Sequence, residues 1–328
     1  MVFSSIKRAI LKFKDKYKKS LIIVFCIWGL WTFGLGFIGG WLLKKGVIQK
    51  FPEITVGTRL LVLAPHIDDE TIAAGGLIQR VKAAGGTTKI VFLTNGDDNI
   101  FSTAAESKKL DFAPNEFISL GELRMNEGLK ADTILSLDTK DLIFLGFPDR
   151  GLTPLLSKYY STSAPFASVA TKLDYSPYQN TYKQNEIYAG ENVQNDLKEI
   201  ITAFKPTIIV VSNQRDTHPD HSATFEYLSR ALKETDAKPR VFTYLVHYPL
   251  YPPDKKLDAS SFLFPPKKLF TQEGWYSFDL TDSEIAKKLD AVNKYASQNQ
   301  FSKFYDLLRS FVKRNEIFEE VFTVNQLR

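Results

Sequence analysis

Hydrophobic residues fall into two patterns along the chain: short uncharged runs, and longer stretches where they return every three or four positions. The runs Leu60–Leu63, Ile90–Leu93, Leu142–Leu145, Ile208–Val211 and Val241–Val246 read as buried strands. Amphipathic helices are predicted between them, around Ile72–Ala84, Leu120–Leu135, Val193–Phe204 and Ala223–Lys233. Strands alternating with helices predict an α/β domain whose mainly parallel sheet is covered on both faces. Two irregular stretches interrupt the alternation, Gly151–Glu191 and Pro249–Lys268. In the first, Tyr159, Tyr160, Tyr175, Tyr178, Tyr182 and Tyr188 offer either stacking and hydroxyl contacts for a sugar or the packing of a self-supporting surface loop. After the second, Thr281 or Asp282 caps a helix through Leu289 to about Gln298, and another helical pattern lies near Phe301–Val312.

One stretch is too long and too apolar for this scheme. Leu21–Leu43 carries no charge and suffices to span a bilayer with some tilt. Its length and its lack of an A-x-A-like site weigh against a cleaved signal peptide. The expected organisation is therefore a basic segment (1–20), one N-terminal transmembrane helix (21–43), a tether (44–58) and a folded domain (59–328). Seven basic residues precede the span and only Lys44, Lys45, Lys50 and Arg59 follow closely, which predicts a cytoplasmic N-terminus and an extracytoplasmic domain.

The net charge of +5 over 328 residues adds to this picture only through its placement. Residues before position 20 contribute +6, so the body lacks the basic footprint of a nucleic-acid binder. The one cysteine, Cys26, lies in the expected span, so no intrachain disulfide forms.

Candidate chemistry sits at two strand ends. The run Leu60–Leu63 stops at Pro65-His66, followed by Asp68, Asp69 and Glu70. The run Ile208–Val211 leads into Arg215-Asp216-Thr217-His218-Pro219-Asp220-His221. Three of the four histidines thus stand among acids. Either cluster alone is a hydrogen-bonded turn or half of a metal site. Both together, where ligands of open α/β sheets bind, point to a divalent cation, because buried imidazoles and carboxylates need a partner.

The pair of clusters resembles the PIG-L or LmbE-like family of zinc-dependent deacetylases. His66-Ile67-Asp68-Asp69-Glu70 matches its first signature and His218-Pro219-Asp220-His221 its second. Lesser matches are Arg124-Met125-Asn126-Glu127, Phe147-Pro148-Asp149 with Gly151, and Ala296-Ser297-Gln298. The resemblance implies a Rossmann-like fold with His66, Asp69 and His221 as ligands of Zn2+ or another divalent metal. It leaves Asp68 and His218 for catalysis. Two nitrogens and one carboxylate leave a fourth position for water, Asp68 is placed as general base, and His218 is placed to donate to the developing oxyanion. Asp220 is then expected to orient His218, and Glu70 to fix the turn. Among candidate substrate-binding residues, Asp97 either borders the pocket or forms a turn, Arg124 matches a substrate-contacting arginine or lies on a helix surface, and His247 stands beside substrate or in the core.

The expected protein is a membrane-anchored hydrolase removing acetyl from an N-acetylglucosaminyl unit of a glycolipid or glycan. The alternatives are a zinc amidase for another N-acyl sugar conjugate and a non-catalytic glycan binder of the same fold.

Overall fold

A computed structural model of the chain describes residues 48–99, 112–270, 272–299 and 306–321. The expected span 21–43 lies outside these residues; among the described residues no helix is long and apolar enough to cross a membrane. The chain divides into two compact units, Met1–Gln49 and Lys50–Arg328.

The second unit contains, in chain order, β1 (Arg59–Ala64), α1 (Asp69–Ala83), β2 (Thr87–Thr94), α2 (Pro114–Ile134), β3 (Leu142–Phe147), the single turn α3 (Leu152–Leu155), α4 (Gly190–Phe204), β4 (Ile208–Ser212), α5 (Pro219–Lys233), β5 (Arg240–Tyr244), β6 (Trp275–Asp279), α6 (Asp282–Val292), the single turn α7 (Leu307–Ser310) and β7 (Asn315–Val321). These seven strands lie side by side in the order β6-β7-β5-β4-β1-β2-β3. The five predicted strands pair in parallel. β7 runs antiparallel to both β5 and β6 and extends the sheet beyond the predicted set.

Alternate residues of the parallel strands serve opposite faces, as the pleat requires. Leu61, Leu63, Val91, Leu93, Ile209 and Val211 join one core cluster with Val193, Leu197 and Ile201 of α4 and Leu228 and Ala231 of α5. α1, α2 and α6 pack together on the other side. α6 opens with a capping box in which Thr281 and Glu284 satisfy each other's backbone N–H groups. It ends at Val292, earlier than expected, and 293–299 continue as a turn. Of the pattern near Phe301–Val312, only Leu307–Ser310 is described as helix.

The connections from β1 and β4 leave in opposite senses along the sheet, and these strands are neighbours. Their carboxyl ends flank the crevice where ligands of doubly wound folds sit. This topology brings two segments about 150 residues apart in sequence to one place.

Candidate active site

The β1 exit carries His66 and Asp68, with Asp69 the first residue of α1; the β4 exit carries Asp216 and His218, with His221 in the first turn of α5. Asp69 Oδ2 lies 3.4 Å from His66 Nδ1 and 3.3 Å from His221 Nε2. His66 Nδ1 and His221 Nε2 are themselves 3.3 Å apart. These three donor atoms form a nearly equilateral triangle. A tetrahedral shell with metal–ligand bonds of about 2.0–2.1 Å has edges of roughly 3.4 Å, so the set fits a divalent ion of that size. Two looser groups of three share His66 with it: His66, His218 and His221, and His66, Asp149 and Asp220, each place ligand atoms within 4.8 Å of one another.

The far nitrogen of each imidazole meets a buried carboxylate, an arrangement that fixes tautomer and ring orientation at metal sites. His66 Nε2 is 3.2 Å from Asp149 Oδ1 and 3.4 Å from Asp220 Oδ2, and His221 Nδ1 is 3.3 Å from Asp216 Oδ2. Asp216 also accepts the backbone N–H groups of His218, Val246 and His247, tying the β4 and β5 exits together. Burial disfavours charge on the imidazoles, yet the carboxylates outweigh it. They hold His66 well above its ordinary value and push His221 up to about 9. Burial works against ionised Asp69 too, but His221 and His66 hold it well below the usual carboxylate range. The pocket is thus built to stabilise positive charge at the centre of the triangle.

Asp68 borders the triangle with a backbone φ of 142°, a conformation L-residues rarely adopt and one that concentrates at functional positions. Burial pushes its carboxyl up to about 7, against the pull of Arg124 and with the help of Asp69. Arg124 donates to Ile67 O at 2.8 Å, to Gly96 O at 2.9 Å and to Asp68 Oδ2 at 3.2 Å. It lines the cavity wall, but its terminal nitrogens serve the two turns and Asp68. Gly96, with φ of 64°, allows that approach: a Cβ there would stand 2.1 Å from an Arg124 nitrogen.

His218 is the N-cap of α5 and its Nδ1 accepts the Asp220 N–H at 3.3 Å. Its ring proton therefore belongs on Nε2. Burial, then the charges of His66, His221 and His247, depress its pKa and keep the ring neutral. His247 closes the histidine group, its ring centroid 5.3 Å from that of His218 and 4.9 Å from that of His221.

The triangle opens into a cavity of about 690 Å³ lined by His66, Asp68, Asp69, Arg124, His218 and His247 together with Asp98, Asp149, Arg150, Asp306 and several others. Ile72, Val246, Leu307 and Leu308 give it apolar walls, and Asn99, Gln298 and Asn299 give it amide groups. Glu127 of α2 accepts the N–H and hydroxyl of Ser297, so the two lesser motifs meet and place Gln298 at the rim.

Two expectations need correction. Asp97 does not reach the cavity: it is 1 % exposed, and both its oxygens are engaged, by Tyr178 Oη and by the Asp149 N–H. Asp220 does not orient His218 through its carboxylate, which faces His66 and accepts the N–H groups of Arg150 and Leu152 at 2.6 and 3.2 Å. None of the six tyrosines of the irregular stretch lines the cavity; Tyr178 and Tyr188 are buried and dock the stretch on the domain, Tyr178 against Asp97 and Gly121 and Tyr188 in the core cluster beside Phe147. Sequence reasoning misses Asp149 and Asp216 as partners of the two histidines. Their place in turns at strand exits is the signal it offers.

The PIG-L family, described as GlcNAc-PI de-N-acetylase, matches residues 61–232. No curated protein matches the chain. Among solved structures, the 4-carboxy-2-hydroxymuconate hydratase GalB of Pseudomonas putida is similar at 16 % identity and TM-score 0.52, covering 81 % of this chain and 97 % of its own. A deacetylase of the teicoplanin biosynthetic pathway is similar at 17 % identity and TM-score 0.50, covering 80 % and 97 %. The A40926 pseudoaglycone deacetylase Dbv21 is similar at 15 % identity and TM-score 0.50, covering 80 % and 96 %. These likenesses bear on the fold, whereas the family match spans both histidine clusters and more than half the chain: the chain belongs to the PIG-L family.

Proposed function

We propose that the chain is a metal-dependent N-deacetylase that hydrolyses the acetamido group of an N-acetylglucosaminyl unit on a glycolipid or glycan, releasing acetate and a free amine. The observation that carries this reading is the triangle of His66 Nδ1, Asp69 Oδ2 and His221 Nε2, with edges of 3.3–3.4 Å, set beside Asp68. Those three residues would hold the ion, most simply Zn2+. When bound, a divalent ion supplies Lewis acidity that brings a water's pKa down to about 7 and polarises the acyl oxygen.

The remaining work falls to the chain's own groups. Asp68, with its carboxyl near 7, takes the proton of the attacking water and delivers it to the leaving nitrogen as the C–N bond breaks. His218, neutral and protonated on Nε2, donates to the acyl oxygen as negative charge develops there. Arg124 fixes Asp68 in place. The cavity volume falls within the range of small-ligand sites, about 300–1,000 Å³. Its apolar walls and amide rim suit the faces and hydroxyls of a pyranose. Residues 21–43 would anchor the enzyme in the membrane with the domain outside, which favours a lipid-linked or envelope substrate. Protease added to intact cells should then digest the domain; protection would reverse the orientation.

The test is acetate release by the full-length, metal-loaded chain from N-acetylglucosaminyl glycolipids and oligosaccharides. Wild type should turn over, and Asp68→Asn should lose roughly 10²–10⁴-fold while retaining its metal. No release from any such substrate by metal-loaded wild type would overturn the reading.

A further inference from the structure

Asp97 is an acid buried outside the cavity, and its partners form a path to the metal triangle. Tyr178 Oη donates to Asp97 Oδ2 at 2.7 Å. The Asp149 backbone N–H donates to Asp97 Oδ1 at 3.3 Å. Asp149 in turn accepts the Asp98 N–H on Oδ2 at 3.2 Å and presents Oδ1 to His66 Nε2, also at 3.2 Å. Neither Asp149 Oδ1 nor His66 Nε2 makes a hydrogen bond among the described residues, so their 3.2 Å approach is an ion-pair contact between two otherwise unsatisfied buried atoms. The other carboxylate near His66 Nε2, that of Asp220, is 3.4 Å away and already engaged by two backbone N–H groups.

Tyr178 enters this path from the segment between α3 and α4, the stretch whose sequence pattern assigns it to no regular element. Its hydroxyl reaches Asp97 only because α2 has Gly121 at the crossing, where a Cβ would stand 2.2 Å from Tyr178 Oη. The segment is thus docked through a small residue on one side and a buried acid on the other.

We propose that Tyr178, Asp97 and Asp149 are positioning residues: they hold the His66 ring with Nε2–H toward Asp149 and the Nδ1 lone pair toward Asp69 and His221, so that affinity for the divalent ion depends on docking of the 156–189 segment. The physical reason is preorganisation. An imidazole free to rotate or to place its proton on Nδ1 must be reordered before it can ligate, and a fixed carboxylate on the far nitrogen removes that cost. This inference rests on the metal-binding reading above.

The experiment is Zn2+ affinity of the full-length chain by competition with a chromophoric chelator, with the visible spectrum of the Co2+-loaded protein as a second readout. Asp149→Ala should weaken Zn2+ binding about 10–100-fold. Tyr178→Phe should weaken it about 3–10-fold, the range of one lost hydrogen bond, and should have no further effect on the Asp149→Ala background. The Co2+ bands should shift in both variants, and excess metal should restore turnover. Should Asp149→Ala fail to fold, Asp149→Asn, of equal size, is read in its place. Wild-type affinity and an unchanged Co2+ spectrum in the folded variants would overturn the relay and leave the metal reading intact. Failure of wild type itself to bind Zn2+ or Co2+ would overturn both.

Discussion

The amino-terminal half of α1, which carries Asp69 just beyond Asp68, is braced by a charged pair in the core behind it. Lys288 Nζ of α6 meets Glu316 Oε1 of β7 at 2.7 Å, and the two side chains are 0 % and 1 % exposed. Glu316 also accepts the N–H groups of Gly76 and Leu77 at 2.7 and 3.0 Å, so one carboxylate joins β7, α6 and the middle of α1. Glu316→Gln removes the charge and turns an amide NH2 toward a backbone N–H or toward the ammonium. Breaking a buried pair from one side costs about 3–5 kcal/mol, because an uncompensated charge stays in the core. Domains are stable by only about 5–15 kcal/mol, so the variant should lie near the edge of folding at about 37 °C. Adding Lys288→Met removes the stranded ammonium, and the double variant should recover about 2 kcal/mol or more over Glu316→Gln alone. Urea unfolding followed by far-UV circular dichroism measures each leg of the cycle. A cost under about 1 kcal/mol for Glu316→Gln, or strict additivity of the two changes, would refute the claim that this pair braces the helix.

Two further outcomes are expected from the same core and from the turn beside it. Asp132 of α2 is fully buried, both its oxygens lack hydrogen-bond partners among the described residues, and burial plus the nearby Glu70 raise its carboxyl well above 3.8. A raised folded-state pKa favours folding below the unfolded value and loses that contribution as pH rises through the folded one. Asp132→Asn, close in size and without the charge, should therefore gain stability over wild type progressively from about pH 4 upward, at no more than about 1.4 kcal/mol per pH unit. A Tm difference that stays flat between about pH 5 and pH 8 would contradict this. Gly96→Ala places a methyl where Arg124 now lies and forces an L-residue to a φ of 64°. Acetate release should fall at least about tenfold through loss of the Arg124–Asp68 contact, with metal content retained; undiminished turnover would show that Asp68 needs no such support.

The parallel core is legible because its strands are buried on both faces and read as unbroken apolar runs; Leu60–Leu63 and Ile208–Val211 begin and end within a residue or so of β1 and β4. β6 and β7 escape the same reading for the complementary reason. Trp275–Asp279 and Asn315–Val321 mix acids and polar residues with aromatics, and Glu316 and Asn315 are buried in polar roles that no hydropathy pattern marks. At the site, spacing brings imidazoles and acids together at two strand ends, and it is the resemblance of those two clusters to the family signatures that singles out His66, Asp69 and His221 among them. Of the carboxylates behind them, Asp149 comes from another strand, following β3, whereas Asp216 leaves β4 as His221 does and also bonds to the β5 exit. Such partners are assigned by topology, and sequence order says little about which acid will face which imidazole. Asp220 illustrates the point: two residues from His218, it turns its carboxylate to His66 instead.

The distribution of supports also explains why this site needs so many strand ends. β1 and β4 alone bring the three donor atoms together, but each imidazole could still rotate or carry its proton on the wrong nitrogen. His66 is held from the β3 exit through Asp149, His221 through Asp216, and Asp68 from α2 through Arg124. Each of these supports is in turn bonded to backbone or to another buried group: Asp149 to the Asp98 N–H, Asp216 to three N–H groups, and Arg124 to Gly96 O and Ile67 O. Buried acids in such numbers would destabilise an ordinary core. They are tolerable here because each is hydrogen-bonded and because their combined charge is directed at one point, where a bound dication would offset it. Rigid elements that fix ligand rotamers before the ion arrives lower the ordering cost of binding. The chain thus places its ligands at the switch point of the sheet, with the imidazoles supported from the β3 and β4 exits and Asp68 from α2; a change at either strand exit should be felt first as a change in metal affinity, and a change at Arg124 as a change in turnover.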